Sequence, residues 1–126
     1  MILDATLRDA ILREARAAVP RECCGLLEGD GWGDDARIVA IHPSRNLADA
    51  DDRFEIDPAL QFRLMREGRR IVGCYHSHPN GVTVPSPRDA EGAQEAGFLW
   101  IIAAGDALAA FVWDGAAFVP AALTMA

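Results

Sequence analysis

Apolar side chains recur at Leu3, Leu7, Ile11, Ala15 and Ala18, with arginines and acids filling the positions between. That period predicts a helix over residues 3–18 with one face on a core, and Pro20 ends it. The run 23–27 is short and apolar, and the segment Gly29 to Gly33 supplies a turn. The pattern predicts a strand entering a hairpin whose returning strand is 37–42. Residues 43–52 read as a polar loop, followed by a brief extended piece at 53–56. Asp57-Pro58 is a helix start, with Asp57 as N-cap and Pro58 at the first helical position. Leu60, Leu64 and Met65 give that helix its inner face, and Gly68 closes it. Residues 70–78 read as a strand and 80–85 as a loop. Ser86-Pro87-Arg88-Asp89 then has the form of a capping box opening a further helix. Strands at 98–104 and 107–113 follow, and the turn Asp114-Gly115 leads into a last one at 117–123. Helices and strands alternate first and a meander closes the chain, which predicts an α/β fold with a mixed β-sheet flanked by helices.

The 126 residues fit one domain spanning 1–126. A chain of that size buries roughly two-thirds of its unfolded surface, so a core forms without disulfides. Apolar residues make up 51% and charged ones 25%, which argues against disordered and fibrous classes. The formal net charge of −7 repels phosphate backbones and anionic lipid, so neither nucleic acid nor membrane is expected as a partner. The one basic cluster, Arg63, Arg66, Arg69 and Arg70, has the spacing of a solvated helix face. Asp4, Arg8, Asp9 and Arg13 stand where a leader peptide needs an apolar run, and no stretch nears the ~20 apolar residues of a membrane span. Cys23 and Cys24 are neighbours that would point to opposite faces of a strand, and Cys74 makes the count odd. This is not a disulfide framework, and a cytoplasmic location is expected.

The chemistry concentrates in Gly73-Cys74-Tyr75-His76-Ser77-His78-Pro79 with Ser86 and Asp89 downstream. On a strand His76 and His78 share a face, about 7 Å apart by backbone rise, and two imidazoles so placed can converge on one ion. Asp89 falls at the third position of the following helix, where the free amides and the dipole favour a carboxylate. Two nitrogens and one oxygen leave a fourth tetrahedral position for water, the pattern of a catalytic rather than a structural zinc. Such an ion lowers the pKa of its water to about 7 and polarises a carbonyl. Glu22, in Pro20-Arg21-Glu22 ahead of the first strand, is the candidate to accept that water's proton and pass it to a leaving amine. Glu14, Glu28 and Glu91 are its rivals. Ser86 can donate to a developing oxyanion or simply cap its helix, worth about 1 kcal/mol. His42 reads as a surface residue, Cys74 as a buried core thiol, and Trp32, Trp100 and Trp113 as packing.

The string His-Ser-His-Pro, six residues, Ser86, two residues, Asp89 resembles the signature of the JAMM, or MPN+, zinc metalloproteases. Pro-x-Glu-x-Cys-Gly-Leu-Leu at 20–27 resembles the segment carrying their catalytic glutamate, and residues 53–58 join the likeness, which is closest to short stand-alone prokaryotic members. The resemblance implies a cytidine-deaminase-like three-layer fold, with zinc on His76, His78 and Asp89. It also implies acid–base work by Glu22 and oxyanion support by Ser86. It implies hydrolysis of a peptide or isopeptide bond after the C-terminal tail of a ubiquitin-like, β-grasp sulfur-carrier protein, by an enzyme that pairs as a homodimer. The rival reading is an MPN-type binding scaffold with a vestigial or partner-loaded site. A nucleoside-type zinc deaminase is disfavoured, because that chemistry wants His-x-Glu with Pro-Cys-x-x-Cys and the chain has neither.

Overall fold

A computed structural model describes residues 1–125. Asp4 accepts a hydrogen bond from the Leu7 amide and starts helix α1 at Ala5–Ala18, two residues later than the apolar period suggests. Residues Ile2–Leu3 instead form a two-residue strand, β1. The chain continues through β2 (Cys24–Asp30), β3 (Arg37–Ser44), α2 (Pro58–Arg66), β4 (Ile71–Ser77) and α3 (Pro87–Gly92). It closes with β5 (Leu99–Ala104), β6 (Ala107–Trp113), β7 (Phe118–Ala121) and β8 (Thr124–Met125). The eight strands make one sheet in the order β7-β6-β5-β4-β2-β3-β1-β8. β4 pairs parallel with β5 and antiparallel with β2, so the sheet is mixed and β4 lies in its interior.

Successive strand residues point to opposite faces, and the two faces carry separate cores. On one, Ile11, Leu12 and Ala15 of α1 pack with Leu27, Val72, Tyr75, Leu99 and Ile101. On the other, Leu64 of α2 packs with Leu26, Cys74, Trp100 and Ile102. Helices thus cover both faces of the mixed sheet, the three-layer α/β arrangement expected from the sequence. α2 starts where predicted, with the Asp57 carboxylate accepting from the Ala59 amide and Pro58 in its first turn. Its inner face is narrower than predicted. Leu64 is 1% exposed but Met65 is 68% exposed, so Leu64 is the buried anchor and removing it would cost about 2–5 kcal/mol. The return from β7 also differs from the pattern: its strand is four residues long, and the last two-residue strand, β8, crosses to pair with β1.

Candidate metal centre

The register of β2 on β4 sets Cys24 opposite His76. Just beyond, Ser77 clasps Cys23: its amide donates to the Cys23 carbonyl at 3.1 Å and its hydroxyl accepts from the Cys23 amide at 2.8 Å. Glu22 is carried in beside the histidines by this clasp. On its other side Asn46 donates to the Glu22 carbonyl at 3.0 Å and to the Arg53 carbonyl at 3.0 Å. The Asn46 Oδ1 accepts from the amides of Ala48 and Glu55, so this one side chain staples the 46–55 loop to the site. Arg21 donates to the carbonyls of Asn46 and Ala48. No pattern or spacing in the sequence singles out Asn46 or Arg21 for this role.

His76 is fully buried and His78 is 7% exposed. Their Nε2 atoms lie 3.1 Å apart, and Asp89 Oδ2 lies 3.1 Å from the first and 3.3 Å from the second. Asp89 is held by the capping box the sequence predicts: its amide donates to Ser86 Oγ, and Oδ2 accepts from the Ser86 amide at 2.8 Å. His78 Nδ1 donates to the Val82 carbonyl at 2.8 Å, which orients the ring so that Nε2 faces His76 and Asp89. Phe54 stacks on the His76 ring with centroids 4.3 Å apart. Glu22, His76 and His78 each bring a ligand atom within 4.8 Å of the others.

This donor set fits a metal ion. Four ligands at 2.0–2.1 Å in a tetrahedron stand about 3.3–3.4 Å from each other, and the three separations here, 3.1, 3.1 and 3.3 Å, are close to one face of such a figure. The Glu22 side chain is buried, and its Oε1 has no hydrogen-bond partner. Two imidazoles and a carboxylate drawn together in a buried corner, beside an acid with no partner of its own, make a cluster that a cation completes.

Electrostatics separate the two acids. Burial pushes the Glu22 carboxyl up to about 7, with the negative Asp89 and Asp52 adding to the rise and His78 opposing it. Burial also works on Asp89, but the hydrogen bonds from both histidines outweigh it and hold its pKa well below the usual range. Burial lowers His76, whereas in His78 the contacts to Asp89 and Val82 overcome burial and raise it. The rival glutamates are occupied elsewhere. Glu14 accepts from the Tyr75 hydroxyl at 2.7 Å, Glu28 accepts from His42 and Arg69, and Glu91 is exposed on α3. Cys74 belongs to the α2-side core. A cleft of about 510 Å³ opens over the cluster, lined by Glu22, His78, Ser86 and the loop residues Val82 and Val84, with Asp51 and Asp52 across from them.

A family model for prokaryotic homologs of the JAB domain matches residues 4–115. The chain belongs to this family. It is 39% identical to a desampylase of Haloferax volcanii over 92% of its own length and 89% of that protein's. A Thermus thermophilus protein named "Probable TtuB-protein conjugate cleaving protease" is 38% identical over 69% of this chain and 56% of its own. A crystal structure of a JAB1/MPN domain protein from Archaeoglobus fulgidus shares the fold, with a TM-score of 0.65 at 20% identity over 98% of this chain and 99% of that one. The family, the α/β fold and the class of JAMM-type hydrolase are those the sequence leads one to expect.

Proposed function

We propose that the chain is a zinc-dependent peptidase that hydrolyses the bond following the C-terminal tail of a ubiquitin-like β-grasp carrier protein. The observation that carries this reading is the buried triangle of His76 Nε2, His78 Nε2 and Asp89 Oδ2 with the unpartnered Glu22 beside it. His76, His78 and Asp89 would hold the ion, and zinc suits two nitrogens and one oxygen with a position left open. When bound, the ion supplies an acidified water and a Lewis acid for the scissile carbonyl. Glu22 takes the proton from the attacking water and returns it to the leaving amine. The Glu22 side chain is 5% exposed and its Oε1 has no other hydrogen-bond partner, so it is free to make that transfer in both directions. Ser86 Oγ accepts from the Asp89 amide through a lone pair, so its own proton remains free to donate to the oxyanion. Capping and catalysis are therefore compatible in this hydroxyl.

The names of the Haloferax and Thermus relatives point to protein conjugates as substrates. The cleft of about 510 Å³ is open and suits a flexible tail laid along it. Three buried thiols, none of them paired, support a reducing cytoplasm as the place of action. The test is hydrolysis of a β-grasp carrier fused through its C-terminus to a reporter. Zinc-loaded protein is expected to cut at the end of the carrier tail, a chelator to stop the reaction, and zinc to restore it. Binding of the carrier without any turnover would overturn this reading in favour of a scaffold. The mass of the same preparation in solution checks the homodimer.

A further inference from the structure

We propose that a second cavity, on the α2 side of the sheet, is a pocket that reads one apolar side chain of the substrate, with Trp100 as its specificity-determining wall. The proposal rests on the peptidase reading. The cavity measures about 250 Å³, and Leu26, Phe54, Ile56, Phe98 and Trp100 supply its apolar walls. It exists because α3 is only six residues long and stops at Gly92, which also lines the cavity. A Cβ added at Gly92 would meet nothing within 4 Å. The end of this helix therefore leaves space over the sheet instead of filling it.

Two observations tie the chamber to the reaction. Asp89 lines it, and the Asp89 carboxylate is 3.1 Å from His76 Nε2, so the chamber adjoins the metal centre. Arg88 lines both the chamber and the larger cleft, so the two spaces share a wall. A peptide lying in the cleft can send a side chain past Arg88 into the chamber. Arg88 and Asp89 are neighbours in the sequence, and an extended chain advances only about 3.4 Å per residue, so a side chain that passes Arg88 belongs to a residue near the scissile bond. Sites for whole small molecules start near 300 Å³, and this smaller space suits one aliphatic or aromatic side chain. Trp100 is 5% exposed and its Nε1 is buried without an acceptor, so its indole N–H serves as a reporter of an occupant packed against the ring.

The experiment uses the metal-loaded protein with nitrogen-15 in its indoles and peptides ending in a carrier tail. Leucine or alanine is placed in turn at each of the three positions before the bond. Trp32, Trp100 and Trp113 give three indole N–H resonances, and Trp100→Phe assigns the relevant one. At one position leucine is expected to move the Trp100 resonance selectively and to bind at least tenfold more tightly than alanine, within the range for a side chain entering an apolar pocket. The matching carrier fusions are expected to show the preference in KM, and Ile56→Trp, which fills the chamber, to bring the two substrates within twofold. Equal binding of both peptides with an unmoved Trp100 resonance overturns the proposal. Turnover without any leucine preference overturns the pocket and leaves the peptidase reading standing. A leucine-selective shift at Trp100 without turnover supports the pocket and sinks the peptidase reading.

Discussion

Replacing Glu22 by Gln is expected to stabilise the metal-free protein while abolishing its chemistry. The side chain is 5% exposed, its Oε1 has no partner, and burial moves its pKa from 4.5 to about 7. A folded-state pKa above the unfolded one means that the protonated acid is the form the fold favours. Its contribution is fully present below pH 4.5 and is lost as pH rises through 7. At 1.36 kcal/mol per pH unit, the displacement from 4.5 to about 7 is worth about 3 kcal/mol. Gln keeps the shape and resembles the protonated acid at every pH. The variant should therefore match the wild type near pH 4 and exceed it by up to about 3 kcal/mol at pH 8. For a chain of this length that is about 10 °C in Tm. Thermal unfolding of both proteins in a chelator, at a series of pH values, measures the difference directly. The chelator is needed because a bound cation would draw the carboxyl back toward its ordinary value. A stability gap that does not change between pH 4 and pH 8 would refute the reasoning. Turnover by the zinc-loaded variant should fall by at least 10²-fold, as expected for loss of general acid–base catalysis.

Asp89→Ala removes an oxygen from the His76–His78 triangle and half of a capping box. It should lose stoichiometric metal and the Tm response to chelator, which in the wild type amounts to about 4 kcal/mol when free metal is a thousandfold above Kd. Ser86→Ala should cost about 1 kcal/mol as a lost cap yet keep the metal, so metal analysis of the two variants separates ligand from cap. Gly25→Ala tests the other face of the sheet. A Cβ there would overlap the ring of Tyr75, which is fully buried and bonded to Glu14, and overpacking of that kind costs about 3 kcal/mol. Chemical denaturation measures it, and a loss under 1 kcal/mol would show that Tyr75 can move aside.

The parts of the molecule that could be read from the sequence are those specified locally. The alternation of side chains along β4 puts His76 and His78 on one face, and the Ser86–Asp89 spacing is that of the capping box the structure shows. Glu22 was harder to reach. Its place beside the histidines depends on the pairing of β2 with β4 and on the Ser77 clasp, which join residues over fifty positions apart. Phe54, stacked on His76, lies in an extended piece with no regular period, so the family likeness of residues 53–58 covers it but no pattern assigns it that contact. β1 and β8 have two residues each, too few for any alternation, and their partners are set by the closing of the sheet edge. Met65 departs from the predicted inner face because one residue along a helix turns the direction by about 100°, and Leu64 with the partly buried Leu60 makes that face.

The two supports of the metal centre differ in how often they open. β4 is flanked by hydrogen-bonded strands on both sides, so its amides should exchange with solvent only when the whole molecule unfolds. α3 is six residues of mostly exposed side chains, fastened by one capping box, and should fray on a far shorter timescale. His76 and His78 are thus mounted on the slow part of the molecule and Asp89 on the fast part. In the site as proposed, release of an ion is expected to follow the opening of one helical turn, so that its off-rate can change greatly while global stability stays the same.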